Sequence, residues 1–262
     1  MSQAVAPLSF RQSSEFAQVL PPFCSGMTLF CDFDGPIVDV SDRYYATYRL
    51  ALTQTQAHLE SGSGSLYSQG LHAMTKSQFW QMKQERIPDA EIALRSGLQG
   101  AAMDYFLEAV RRQVNLPELL QKDRLQPGVM WALALLKKQG FRLVLVTLRH
   151  NRQVDAILRH HDLISLFEGI YGVETEDSAY LNYADGKTHL LRQALGHHGG
   201  HGEMLPGWMI GDTEADVIAA HTLGIPAIAL TCGIRSRSYL AKLKPSTIHS
   251  NLLLLAQSII HS

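Results

Sequence analysis

Cysteine is scarce in this chain, with Cys24, Cys31 and Cys232 the only three among 262 residues. So few, so widely spaced, cannot build a disulfide framework, and a reducing, cytoplasmic compartment is expected. A surplus of one charge is missing too. Lys and Arg number 23 against 24 Asp and Glu, a net charge of −1 without a basic cluster. No nucleic-acid or anionic-membrane partner is therefore expected. No apolar run approaches the roughly 20 residues of a membrane span. The opening residues, MSQAVAPLSFRQSSEF, lack the charged-then-apolar order of a secretory signal. No internal repeat is evident. What remains is 46% hydrophobic and 18% charged, an ordinary globular balance with room for one large domain or a core carrying a smaller insert.

The densest chemical signal lies in Met27 to Asp42, MTLFCDFDGPIVDVSD. An apolar run with strand character ends in Asp32 and Asp34, and Gly35 follows where the chain must turn. Two carboxylates this close repel, and a divalent cation is one way to keep both ionised. Taken alone, an Asp-x-Asp is more often a loop with two solvated acids. The rest of the chain has to decide.

Residues 1–25 read as a loosely held arm. From 41 to 125 the pattern is helical throughout: Asp42 to Leu59, a break at SGSGS (61–65), then Ser77 to Arg86. A long helix capped by Asp89 is expected to run through Phe106 to Val114. Tyr44, Tyr45, Tyr48, Phe79 and Trp80 are expected to form its small core. From Gln126 strands and helices alternate. Strands are predicted at Leu143 to Val146 (ending at Thr147), Gly169 to Val173, Trp208 to Ile210 and Pro226 to Leu230. Helices are predicted at Val129 to Gln139, Arg152 to His161 (capped by Asn151), Gly186 to Leu195, Thr213 to Leu223, Ser236 to Lys244 and Asn251 to Ile260. Unbroken apolar strands alternating with amphipathic helices predict an α/β fold, a Rossmann-like parallel sheet with helices on both faces. The expected division is a 26–40 plus 126–262 core with an all-α cap domain at 41–125. In such a sheet the strand ends share one edge, so Asp32, Thr147 and Asp212 should converge.

Asp32-x-Asp34, Thr147, Lys187 and Gly211-Asp212-x-x-x-Asp216 follow one another in the order and types of a known set. They resemble the haloacid dehalogenase (HAD) superfamily of phosphohydrolases, whose motifs are D-x-D-G-T, a Ser or Thr after a strand, a Lys, and G-D-x-x-x-D. The segment GDTEADVIAAHTLGIPAIALTCG is similar to the phosphoglycolate-phosphatase-like branch. Three departures stand out: Pro36 where the family usually has Thr, Val40 where Ser often follows Asp39, and Thr188-His189 after Lys187 in place of Pro-x-Pro.

The resemblance implies a hydrolase of small phosphorylated metabolites with an HAD-like core and a helical cap. Asp32 would be the nucleophile and Asp34 the general acid and base. Mg²⁺ would be held by the Asp32 and Asp212 carboxylates and the Asp34 carbonyl. The Thr147 hydroxyl and the Leu148 backbone N–H would bind phosphate together with Lys187, the one lysine between Lys138 and Lys242. Asp216, a helical turn past Asp212, would orient a metal water or Lys187. Arg149 would contact substrate or ion-pair at its loop. The cluster HHGGH (197–201) reads as solvated, and His160-His161 suit a helix C-terminus. A monomer or homodimer is expected. Three alternatives share the core motifs. A sugar-phosphate phosphomutase would differ only in cap contacts. A phosphonatase would need a cap lysine, for which Lys76, Lys83 and Lys122 are available. A catalytically silent binding protein would keep the fold.

Overall fold

The computed structural model describes residues 23–61, 71–174, 178–199 and 207–260. The expected N-terminal arm up to residue 22, most of the SGSGS break and the end of the HHGGH cluster lie outside these residues. Strand β1 (Thr28–Cys31) is followed by a two-residue strand β2 (Val38–Asp39). Five helices come next: α1 (Ser41–Ser61), α2 (Lys76–Gln84), α3 (Asp89–Arg95), α4 (Gly100–Gln113) and α5 (Pro117–Leu120). The chain returns through β3 (Arg124–Leu125), α6 (Val129–Lys138), β4 (Arg142–His150), α7 (Asn151–His160) and β5 (Gly169–Val173). It then runs through α8 (Ser178–Leu181), α9 (Ala184–His198), β6 (Trp208–Gly211), α10 (Glu214–Thr222) and β7 (Ala227–Leu230). Last come α11 (Arg237–Lys242), β8 (Thr247–His249) and α12 (Leu252–Ile260).

Six strands form one parallel sheet in the order β5-β4-β1-β6-β7-β8. The order reverses at β1, and a ligand crevice belongs at such a reversal. Both faces are covered because alternate strand residues are apolar in both directions. Leu29, Cys31, Leu143, Leu145 and Ile210 join the core that contains Leu133 of α6, Leu158 of α7 and Leu255 of α12. Phe30, Val144, Val146 and Met209 face the other way, onto Leu191 and Ala194 of α9 and Val217 of α10. The first core continues without a break through Phe33 and Ile37 into Tyr48, Phe79 and Phe106 of the helical insert.

The short antiparallel ribbon of β2 and β3 pairs Val38 with Leu125 and Asp39 with Arg124, so the chain leaves for the helices and returns side by side. Several expectations change here. The long helix predicted from Asp89 is two helices, parted where Gly97 (φ 90°) and Gly100 (φ 53°) take left-handed backbone. Pro88, not Asp89, precedes the first of them, and the Asp89 carboxylate pairs with Lys83 instead. Strand β4 runs on past Thr147 to His150, with its register shifted between Val146 and His150. The His150 imidazole caps α7 by accepting from Arg152 N at 3.1 Å, in the place expected of Asn151. The edge strand β8 has only three residues and carried no pattern. Among the described residues no helix is long and apolar enough to cross a membrane.

Candidate active site

Register fixes the site before any side chain is considered. Cys31 pairs with Leu145 on one side and Ile210 on the other, so Asp32 leaves β1 beside Val146 and Gly211. Thr147 and Asp212 come one residue later. Asp32, Asp34, Thr147, Leu148 and Lys187 line one small cavity together with Tyr44 of the helical insert. Its volume is about 10 Å³, scarcely room for one water molecule, and the insert is closed over it.

Lys187 projects from α9 and is fully buried. Its Nζ lies 2.8 Å from Asp32 Oδ1 and 2.8 Å from Asp216 Oδ1, and donates to the Val146 carbonyl at 3.1 Å. Burial by itself would strip this proton, but the Asp216 and Asp32 charges outweigh it and raise the ammonium pKa. Asp216 thus touches Lys187, one of the two groups it was expected to orient. Its other oxygen accepts from Asp212 N, Thr213 N and Thr213 Oγ1 at the start of α10, so the residue is fully occupied.

Asp212 is fully buried and tightly wedged. Its Oδ2 accepts from Ile234 N at 2.6 Å, while Oδ1 is buried without a hydrogen-bond partner. A Cβ on Gly35 would fall 2.1 Å from this carboxylate, and one on Gly233 2.0 Å, so only glycine fits on either side. Carboxylate oxygens of Asp32, Asp212 and Asp216 lie within 4.8 Å of one another. Three acids share one ammonium here, and the excess of negative charge is buried. Burial, against the pull of Lys187, pushes Asp32 up to about 7, with Asp216 and Asp34 adding to the rise. Burial and the Asp32 and Asp216 charges push Asp212 well above the carboxylate range. An unpartnered oxygen among hard, uncompensated oxygen donors fits a small divalent cation.

A model of the haloacid dehalogenase-like hydrolases matches residues 27–224, a span holding every one of these side chains. The chain belongs to that family. A phosphoglycolate phosphatase of Mannheimia succiniciproducens is 30% identical over 135 residues, 50% of this chain and 55% of that protein. The chain thus spans about half of that relative's length. The protein named "Probable phosphatase IndB" of Dickeya dadantii is 26% identical over 217 residues, covering 83% of this chain and 86% of its own. The fold matches the crystal structure of a predicted phosphatase from Clostridium acetobutylicum with a TM-score of 0.62 at 19% identity. That match covers 90% of this chain and 99% of the other.

One part of the site is invisible in the motifs. Asp34 does not sit free. Its Oδ1 accepts from Arg149 Nη1 at 2.8 Å and its Oδ2 from Arg43 Nη2 at 2.9 Å. Both guanidinium groups then turn to Asp123: Arg43 Nε lies 3.0 Å from Oδ1 and Arg149 Nη2 2.7 Å from Oδ2. Two acids and two arginines form a closed, neutral ring with every side chain under a tenth exposed. Burial would raise the Asp34 pKa, but Arg149 and Arg43 more than offset it and hold the carboxyl below its ordinary range. Arg149 therefore ion-pairs, the second of the two roles open to it. Arg43 and Asp123 sit at opposite ends of the helical insert and meet only because β2 and β3 pair. A nine-residue gap between Asp34 and Arg43 carries no periodic signal, and a lone Arg or Asp in a helical stretch reads as solvated.

Of the lysines available to a phosphonatase, Lys83 is buried against Asp89 (3.0 Å) and under the Tyr180 ring, Lys76 is 2.6 Å from Asp42, and Lys122 is exposed. Thr147 Oγ1 accepts from Arg149 N at 3.2 Å, which leaves its own proton free to donate.

Proposed function

We propose that this chain is a cytoplasmic, Mg²⁺-dependent phosphomonoester hydrolase acting on a small phosphorylated metabolite, phosphoglycolate or a close analogue. The observation that carries the reading is Lys187 bridging Asp32 and Asp216 at 2.8 Å each, beside the unpartnered Asp212 oxygen. Asp32 Oδ attacks phosphorus in line, giving an aspartyl phosphate as the ester bond to the leaving alkoxide breaks. Lys187, held charged by its two carboxylates, pulls Asp32 toward its ionised form against the effect of burial and offsets charge on the phosphoryl oxygens. The Thr147 hydroxyl and the Leu148 N–H take one of those oxygens. Asp34, once it turns from its arginines, takes a proton from solvent and gives it to the leaving alkoxide; the carboxylate left behind then takes a proton from the water that cleaves the intermediate, which restores the acid. Mg²⁺, held by the Asp32 and Asp212 carboxylates and the Asp34 carbonyl, would spread the equatorial charge when bound.

In this reading residues 41–125 are a cap and 26–40 with 126–262 the core, and the β2–β3 ribbon is the boundary. The relative's name supplies the phosphoglycolate guess. The test is hydrolysis of phosphoglycolate and of p-nitrophenyl phosphate with and without MgCl₂. Turnover that needs the salt and is abolished in Asp32→Asn supports the proposal. A folded protein inert toward both esters in MgCl₂ overturns it.

A further inference from the structure

Beside the β2–β3 ribbon lies a second cavity of about 720 Å³, seventy times the volume of the catalytic space. That size is typical of small-molecule sites, which run to roughly 300–1,000 Å³ and favour boundaries between folded units. Its floor is apolar and mostly half-buried: Val38 and Leu125 of the ribbon, Leu120 of α5 and Ile157 of α7. Its mouth carries the exposed cations Arg124 and Arg152, with His160 and His161 beside them. Its inner end is closed by Asp123 and Arg149, the pair that also anchors Asp34. Among the described residues Asp123 is the only acid in the lining, and Arg43 and Arg149 already neutralise it. Arg124 meets the exposed Asp42 carboxylate at 3.8 Å, a solvent-screened contact, so the mouth keeps its cationic character; over an apolar floor it selects a ligand with an apolar body and an anionic head.

The position of this cleft gives it a consequence. One wall is α5 at the end of the helical insert, the other is α7 of the sheet core, and the floor is the ribbon that joins them. An occupant touching both walls favours the arrangement in which they stand at this distance, and here the insert is shut over the catalytic cavity. We propose that the cleft binds a small amphipathic anion, a carboxylate or phosphate on an aliphatic or aromatic body, and that the bound ligand holds the insert closed. The closing effect would regulate the activity proposed above; the binding itself is independent of it.

The probe is 8-anilinonaphthalene-1-sulfonate, followed by fluorescence on the full-length protein, with octanoate and octyl phosphate as competitors that separate a carboxylate head from a phosphate one. Saturable binding of one dye per chain is expected, displaced by at least one of the two competitors. Ala156→Trp, which fills the mouth from an exposed helical position, should weaken it at least tenfold. Arg124→Gln/Arg152→Gln, on exposed side chains that leave packing intact, should weaken it about tenfold, with little change for the neutral analogue N-phenyl-1-naphthylamine. Dye binding that is absent, or unchanged in both variants, overturns the site. Closure is read by hydrogen exchange, which needs no turnover: bound dye should slow exchange of amides 35–40 and 123–126 several-fold in the unsubstituted chain and not in Ala156→Trp. Binding without that protection overturns the closing role. An inert enzyme that still binds and protects would count against the phosphatase reading alone.

Discussion

Lys187 is the side chain on which the catalytic charges balance. The carboxylates of Asp32 and Asp216 each lie 2.8 Å from it, and Asp212 belongs to the same buried acidic cluster. Asp216→Asn keeps the acceptor oxygen that caps α10 but removes one charge from a cluster with too many. The expected result is a fall in turnover of about 10- to 100-fold, while metal-free stability in urea drops by no more than about 1 kcal/mol. A large loss of stability would mean that Asp216 is chiefly a structural partner. The acids also set a pH dependence. Asp32 rises from an ordinary 3.8 to about 7 in the folded chain, so the native state holds a proton that the unfolded state has released. Native stability without metal therefore declines as pH climbs from about 4 through 7. A divalent cation competes with that proton, so the rise in Tm produced by Mg²⁺ should be larger at pH 8 than at pH 6. Equal shifts at the two pH values would place the cation elsewhere.

At the scale of elements, the strand ends carry the site and the turns between them make it fit. Gly35 has φ 101°, and a methyl group there would overlap the Asp212 carboxylate. Gly35→Ala should abolish the Mg²⁺-dependent rise in Tm as well as activity; a variant that keeps the shift would show that Asp212 has other room to move. The ring of Arg43, Asp34, Arg149 and Asp123 makes a second prediction. Asp123→Asn leaves two buried guanidinium groups on one carboxylate and should cost about 3–5 kcal/mol. Arg43→Met/Asp123→Leu removes one charge of each sign and should recover most of that loss in urea unfolding. The double variant proving as unstable as the single would mean that the ring is not balanced by charge.

These elements also show what the sequence could disclose. Asp32, Thr147 and Asp212 were legible because each stands where an unbroken apolar run meets a polar residue, and parallel strands bring such junctions to one edge. Lys187 and Asp216, inside helices, were picked out only by the family resemblance. The split between α3 and α4 was obscured because Ile92, Phe106 and Val110 keep an apolar spacing across two glycines that leave helical geometry. Strand β8 was too short to show a period. Arg43 and Asp123 were hidden for a different reason: 80 positions separate them, and their meeting depends on a ribbon of two residues per strand.

Over the whole molecule, the catalytic space is shut. A cavity of about 10 Å³ is far smaller than a phosphate ester, so the proposed reaction predicts that the insert moves to admit one. Contacts between insert and core include polar ones, with Arg235 Nη1 donating to the Lys83 carbonyl at 3.0 Å, Arg86 paired with Glu214 at 2.6 Å and Ser238 Oγ donating to Glu85 at 3.2 Å, and an aromatic one, with the Tyr44 and Tyr180 rings 5.3 Å apart. In a Cys24→Ser background, Glu85→Cys and Ser238→Cys joined by a short bis-maleimide should stop turnover, and the same double variant without the linker should remain active. Full activity in the linked protein would show that substrate enters without movement of the insert. The central claim is that Asp32 bonds to phosphorus, and peptide mapping after acid quench tests it most directly. Mixed with ³²P-labelled phosphoglycolate and MgCl₂ and quenched during turnover, the protein should carry label on the peptide containing Asp32, and Asp32→Asn should carry none. Hydrolysis that proceeds with no label on that peptide would contradict the account.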